Sequence, residues 1–124
     1  MNEHDKGVTR AFVLHPDILN DRQRRDPSAG LDEAVALAEA LPELEVCGAQ
    51  VVRVRKPEPG QLFGSGKVQE LGEILHNQEV DLVLIDGPVS PVQQRNLEKA
   101  WKVKLLDRTG LILEIFSDRA RTRE

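Results

Sequence analysis

Leu82-Val83-Leu84-Ile85 is an uninterrupted apolar run that stops at Asp86-Gly87-Pro88. Adjacent strand residues point to opposite faces, so this run needs apolar cover above and below, which a sheet with one wet face cannot give it. It predicts a central strand of a parallel sheet. Parallel neighbours in turn demand long crossovers, and the remaining sequence supplies helical segments for them. From Leu31 the set Leu31, Ala34, Val35, Ala38 follows helical spacing and ends near Leu41-Pro42, while Val68, Leu71, Ile74 and Leu75 repeat that stripe after Gly64-Ser65-Gly66-Lys67, with Ser65 as the expected N-cap. Gly72 lies on the second stripe, where an interior glycine suggests close helix-to-sheet packing. Ser90-Pro91-Val92-Gln93 is a capping box with proline at the first helical position, starting a third helix that turns Leu97, Ala100 and Trp101 inward.

Three further strands fit between these helices. Ala11 to Leu14 is a short apolar run that His15-Pro16 should end, Val46 to Val54 is valine-rich, and Val103 to Leu106 follows the third helix. Asp17 to Gly30 lacks periodicity and reads as a loop. Alternating strands and helices predict an α/β fold, a four-stranded parallel sheet with helices on both faces in a Rossmann-like three-layer arrangement. At 124 residues the chain has room for one such domain. A two-domain enzyme or a complete GTPase domain does not fit. Leu111-Ile112-Leu113 and Ile115-Phe116 close the sequence with apolar groups on more than one helical face, as expected of a helix stump with part of its surface uncovered.

Charge narrows the chemistry. Lys and Arg number 17 against 21 Asp and Glu, a net charge of −4, so the chain as a whole is not a strongly basic nucleic-acid binder. The balance is uneven: zero over residues 1–30, −6 over 31–100 and +2 over 101–124, where Arg108, Arg119, Arg121 and Arg123 lie. The lone Cys47 and the scattered His4, His15 and His76 show neither a disulfide framework nor metal-ligand spacing, which points to a reducing, cytoplasmic setting with no metal. The leader Met1 to Lys6 carries no apolar stretch of a signal peptide, and no run is long enough to span a bilayer.

Gly64-Ser65-Gly66-Lys67 before a helix, with Asp86 downstream, resembles the phosphate loop of a nucleotide hydrolase. The spacing refuses the full motif, because Gln61 stands where its first glycine belongs and Val68 where its metal-binding Ser or Thr belongs. What survives is a smaller role in which Gly64, Ser65, Gly66 and Lys67 hold a single phosphate of a nucleotide or an RNA backbone, with Asp86 at the carboxyl end of its strand where α/β ligand sites gather. A turn that packs tightly is the plainer explanation of the same residues. No Ser/His/Asp, Cys/His or paired-carboxylate arrangement emerges, so no catalytic residue is expected.

Three stretches carry a more specific signal: Phe63-Gly64-Ser65-Gly66-Lys67-Val68-Gln69-Glu70-Leu71, then Ser90-Pro91-Val92-Gln93-Gln94-Arg95-Asn96-Leu97-Glu98, then Leu106-Asp107-Arg108-Thr109-Gly110-Leu111-Ile112-Leu113-Glu114-Ile115-Phe116 with Arg119-Ala120-Arg121-Thr122-Arg123-Glu124. Together they resemble the N-terminal domain of the ribosome-associated HflX GTPase family, while Leu41-Pro42-Glu43-Leu44 departs from the Thr-Ala-Gly common there. The resemblance implies an α/β domain over residues 1–106. Residues 107–124 would then begin a helix leading to a helical hairpin and a GTPase domain outside this sequence. It further implies docking on the large ribosomal subunit and its RNA during splitting or rescue of stalled ribosomes. GTP and Mg2+ would be handled downstream and no cofactor by this stretch, which is expected to be a monomer or weak dimer. Arg108, Arg119 and Arg121 become the candidate RNA contacts. The alternative is a small ATP-binding module built on Gly64 to Lys67.

Overall fold

The computed structural model describes residues 9–22 and 26–114. Strand β1 (Thr9–Ile18), helix α1 (Pro27–Glu39), β2 (Leu44–Val54), α2 (Ser65–Asn77), β3 (Leu82–Ile85), α3 (Pro91–Trp101) and β4 (Lys104–Asp107) follow in order. A further helix, α4, occupies 108–114. The four strands form one parallel sheet in the order β2-β1-β3-β4.

All four residues of β3 are buried, and the pleat divides them between two cores. Val83 and Ile85 join Phe12, Leu14, Val52 and Leu105 beneath Val68, Leu71 and Leu75 of α2 and Leu97 and Trp101 of α3. Leu84 faces the other way with Val13, against Ala34 and Ala38 of α1, Leu41, and Leu111 of α4. Helices α2 and α3 therefore cover one face, and α1 and α4 the other. Of the closing apolar run, Leu111 is fully buried, whereas Ile112 is 37% and Leu113 62% exposed; Ile115 and Phe116 lie outside the described residues.

Several boundaries differ from expectation. Strand β1 runs through Pro16 to Ile18 because its ladder to β3 ends at Leu14 opposite Ile85, leaving the imino acid paired with β2 alone. The supposed loop is shorter at its other end too. Asp26 accepts a hydrogen bond from the Ser28 amide at 3.1 Å and Pro27 takes the first helical turn, so α1 starts before its apolar stripe does. Ser65 is inside α2 rather than its cap, and Gly64 holds the cap position without a side-chain bond. Gly72 serves helix-to-helix packing, since a Cβ there would lie 3.2 Å from Cδ1 of Trp101. The Trp101 indole donates to the Val68 carbonyl at 2.8 Å, which pins α3 to α2. Ser90 and Gln93 form the expected capping box.

The two sheet edges differ in construction. At β4, the Leu105 amide donates to Glu98 Oε2 at 2.9 Å and its carbonyl accepts from Gln94 Nε2 at 3.0 Å, so α3 side chains occupy both groups. In β2 a register shift leaves Cys47 between the pairs Ala11–Val46 and Phe12–Gly48. Burial pushes the Cys47 thiol above its ordinary range. Beside it the Phe12 ring fills the space over Gly48, where a Cβ would come within 2.4 Å of Cε2. Gly48→Ala should therefore cost about 1–3 kcal/mol through overpacking, whereas Gly66→Ala, whose added methyl meets nothing within 4 Å, should leave stability level or raise it by about 0.5 kcal/mol. Urea unfolding of the two variants measures both.

Candidate functional site

The strand order creates one natural crevice. From β1 the chain moves outward to β2 through α1, and from β3 it moves the opposite way to β4 through α3, so the connections diverge beyond the carboxyl ends of β1 and β3. Open α/β sheets place ligand sites at this divergence. Here it opens into a cavity of about 670 Å³ lined by His15, Pro16, Leu62, Asp86, Pro88 and Arg108 among others.

His15, Asp86 and Arg108 line it together, and a fourth titratable side chain, Glu33, stands behind Arg108. Asp86, one residue past β3, has a side chain only 4% exposed; its Oδ2 lies 2.8 Å from Nδ1 of His15 in β1, and its Oδ1 accepts from Nη1 of Arg108 at 3.0 Å. The other terminal nitrogen of Arg108, Nη2, lies 3.1 Å from Oε1 of Glu33 in α1. Burial alone would lower the Arg108 pKa, but the bonds and charges of Glu33 and Asp86 outweigh it and the net shift is upward. With Asp86 ionised, Nδ1 of His15 carries the proton it shares with the carboxylate, which fixes the imidazole orientation. α1 makes room for that ring: at Gly30 a Cβ would stand 2.5 Å from Cε1 of His15.

The far wall is held by α3. Residues 58–62 close on themselves through the Glu58 amide to the Leu62 carbonyl, 3.0 Å, and the reverse bond, 2.9 Å. Leu62 takes a φ of 69°, costly for a branched residue. Gln93 Nε2 donates to the Glu58 carbonyl at 2.7 Å and Asn96 Nδ2 to the Gly60 carbonyl at 2.9 Å, holding the loop in that shape.

The residues singled out from sequence do not converge on one place. Gly64, Ser65, Gly66 and Lys67 sit at the start of α2 and line no part of the cavity that contains Asp86; Ser65 instead borders two shallower openings. Lys67 Nζ pairs with Glu70 at 3.3 Å. Neither Gly64 nor Gly66 is required by space, since an added Cβ at either meets nothing within 4 Å. Arg108 turns into the crevice, while Arg119 and Arg121 lie outside the described residues. Nothing in the sequence names His15 as the partner of Asp86, Glu33 as that of Arg108, or Gly30 as the residue that makes room for the imidazole; the one local signal is the placement of His15 at the end of an apolar strand. Among the described residues no Ser, Thr or Cys lines the crevice, no cluster suits a metal ion, and no helix is long and apolar enough to cross a membrane.

A sequence profile described as the GTP-binding GTPase N-terminal family matches residues 28–117. A GTPase HflX of Magnetococcus marinus is 44% identical over 125 residues, covering 100% of this chain and 28% of its own length. A GTPase HflX of Escherichia coli is 44% identical over 70 residues, 56% of this chain and 16% of its own. The crystal structure of a GTP-binding protein from the archaeon Sulfolobus solfataricus in complex with GDP superimposes with a TM-score of 0.60 at 20% identity, over 89% of this chain and 30% of that one. The fold is shared, and the chain spans less than a third of the length of each of these proteins.

Asp86→Asn removes the charge that both His15 and Arg108 address from a nearly sealed position, and should lower stability by about 1–3 kcal/mol. Gly30→Ala should displace the imidazole. Its ring resonances in NMR spectra will shift, while those of His76, on the opposite face, stay in place.

Proposed function

The chain belongs to the GTP-binding GTPase N-terminal family, as the N-terminal domain of an HflX-type GTP-binding protein, and from that premise we propose that it docks its parent on the large ribosomal subunit and ribosomal RNA. In this reading the parent splits or rescues stalled ribosomes in the cytoplasm, with GTP and Mg2+ bound by a downstream GTPase domain joined through the segment that begins at residue 107. The observation that carries the division of labour is the broken phosphate loop. Gln61 and Val68 occupy positions that a triphosphate and its metal require, in a chain matching only 28% of a relative named as a GTPase.

The RNA contacts fall to Lys67, at the exposed start of α2, and to Arg119 and Arg121. Arg108 contributes less, because both its terminal nitrogens already face carboxylates. Exposed Ile112 and Leu113 suit a cover supplied by the parent's helical hairpin, and without that cover the domain is a monomer that dimerises weakly. A second reading, an ATP-binding module on Gly64 to Lys67, draws support from the open space over Gly64 and Gly66, which the fold itself does not demand.

Co-sedimentation with large ribosomal subunits separates these readings. Arg119→Glu with Arg121→Glu should weaken binding more than Arg22→Glu with Arg24→Glu, and each lost phosphate contact should lower the salt slope by about one unit. Equal loss from both pairs would mean diffuse charge alone. Calorimetry with GTP and magnesium should show no binding heat, and a stoichiometric signal with ATP that Lys67→Ala abolishes would favour the module.

A further inference from the structure

We infer that Arg108 couples the crevice to α4, so that what fills the crevice and how firmly α4 is seated are linked. The inference rests on the geometry of the site and is independent of any role on the ribosome. Arg108 is the first residue of α4 and also lines the cavity. Its guanidinium spans two elements, reaching the buried carboxylate beyond β3 on one side and the half-exposed Glu33 of α1 on the other. The rest of α4 is lightly held. Of Leu111, Ile112 and Leu113 only Leu111 is buried, and the other described tie is Asp107 Oδ1 accepting from the Gly110 amide at 2.8 Å.

Asp86 divides its two oxygens between His15 and Arg108, and Gly30 leaves the imidazole no slack toward α1. A group entering the crevice and pressing on His15 or on the guanidinium must disturb the bond that anchors α4. Linkage is reciprocal, so a force that lifts α4 must equally loosen the crevice. Arg108 is in this sense a positioning residue.

Hydrogen exchange of the amides at 109–114 reads the seat of α4, and the β1 and β3 amides read global stability. Asp86→Asn should speed exchange at 109–114 about tenfold beyond any change in β1 and β3, and Glu33→Gln, at an exposed position that leaves the fold intact, about twofold. The crevice is filled directly by placing a cysteine at Asn20 in a Cys47→Ser background and attaching N-ethylmaleimide. The label should accelerate exchange at 109–114 in the otherwise native chain and add nothing once Arg108→Ala is present. The same label on a cysteine replacing Glu73, on the opposite face, should leave α4 unchanged. Acceleration that is equal with and without Arg108, or absent in both, overturns the proposal, as does a uniform change across β1, β3 and α4.

Discussion

A carboxylate buried at the end of a central strand is tolerated only when its charge is answered on the spot, because an unpaired buried ion costs several kcal/mol. Asp86 is answered twice, by a histidine from the neighbouring strand and an arginine from the last described helix. Those two partners fix the relative positions of β1, β3 and α4, and Arg108 extends the tie to α1 through Glu33. The crevice exists because the strand order opens it, and it keeps its shape because these four side chains brace it on the side covered by α1 and α4. The strained turn at Leu62, clamped by Gln93 and Asn96, completes the enclosure from the α3 side.

What could be read in advance was local. The apolar run of β3, the capping box at Ser90 and the helical stripe of α2 each declare themselves within a few residues, and each is present. The start of α1 was hidden because Asp26-Pro27-Ser28 signals a helix by capping, ahead of any apolar periodicity. The passage of β1 through Pro16 was hidden for another reason: it depends on how far β3 reaches, a property of the pairing and not of the residues around the proline. The site was least legible of all. His15 and Asp86 stand 71 residues apart, and nothing in either neighbourhood names the other. Asp86 could be placed at a strand's carboxyl end, but its partners could not.

Four of the glycines form two contrasting pairs that sequence treats alike. Gly30 and Gly48 are demanded by rings that occupy the space a methyl would need, one imidazole and one phenyl. Gly64 and Gly66 answer no such demand. Their smoothness leaves backbone exposed at the start of α2, on a chain whose family includes proteins more than three times its length. The interior glycines belong to folding, and this pair is open to approach from outside.

The side chains on Leu105 have a consequence for the molecule as a population. An open strand edge is a template on which another chain can add, and successive additions give a polymer. At β4 the template is occupied at its centre, because Glu98 and Gln94 present to Leu105 the acceptor and donor that an incoming strand would offer. They act as a chain terminator written into α3. Crowded folding intermediates in which β4 has already met α3 are thereby barred from zippering together along that side.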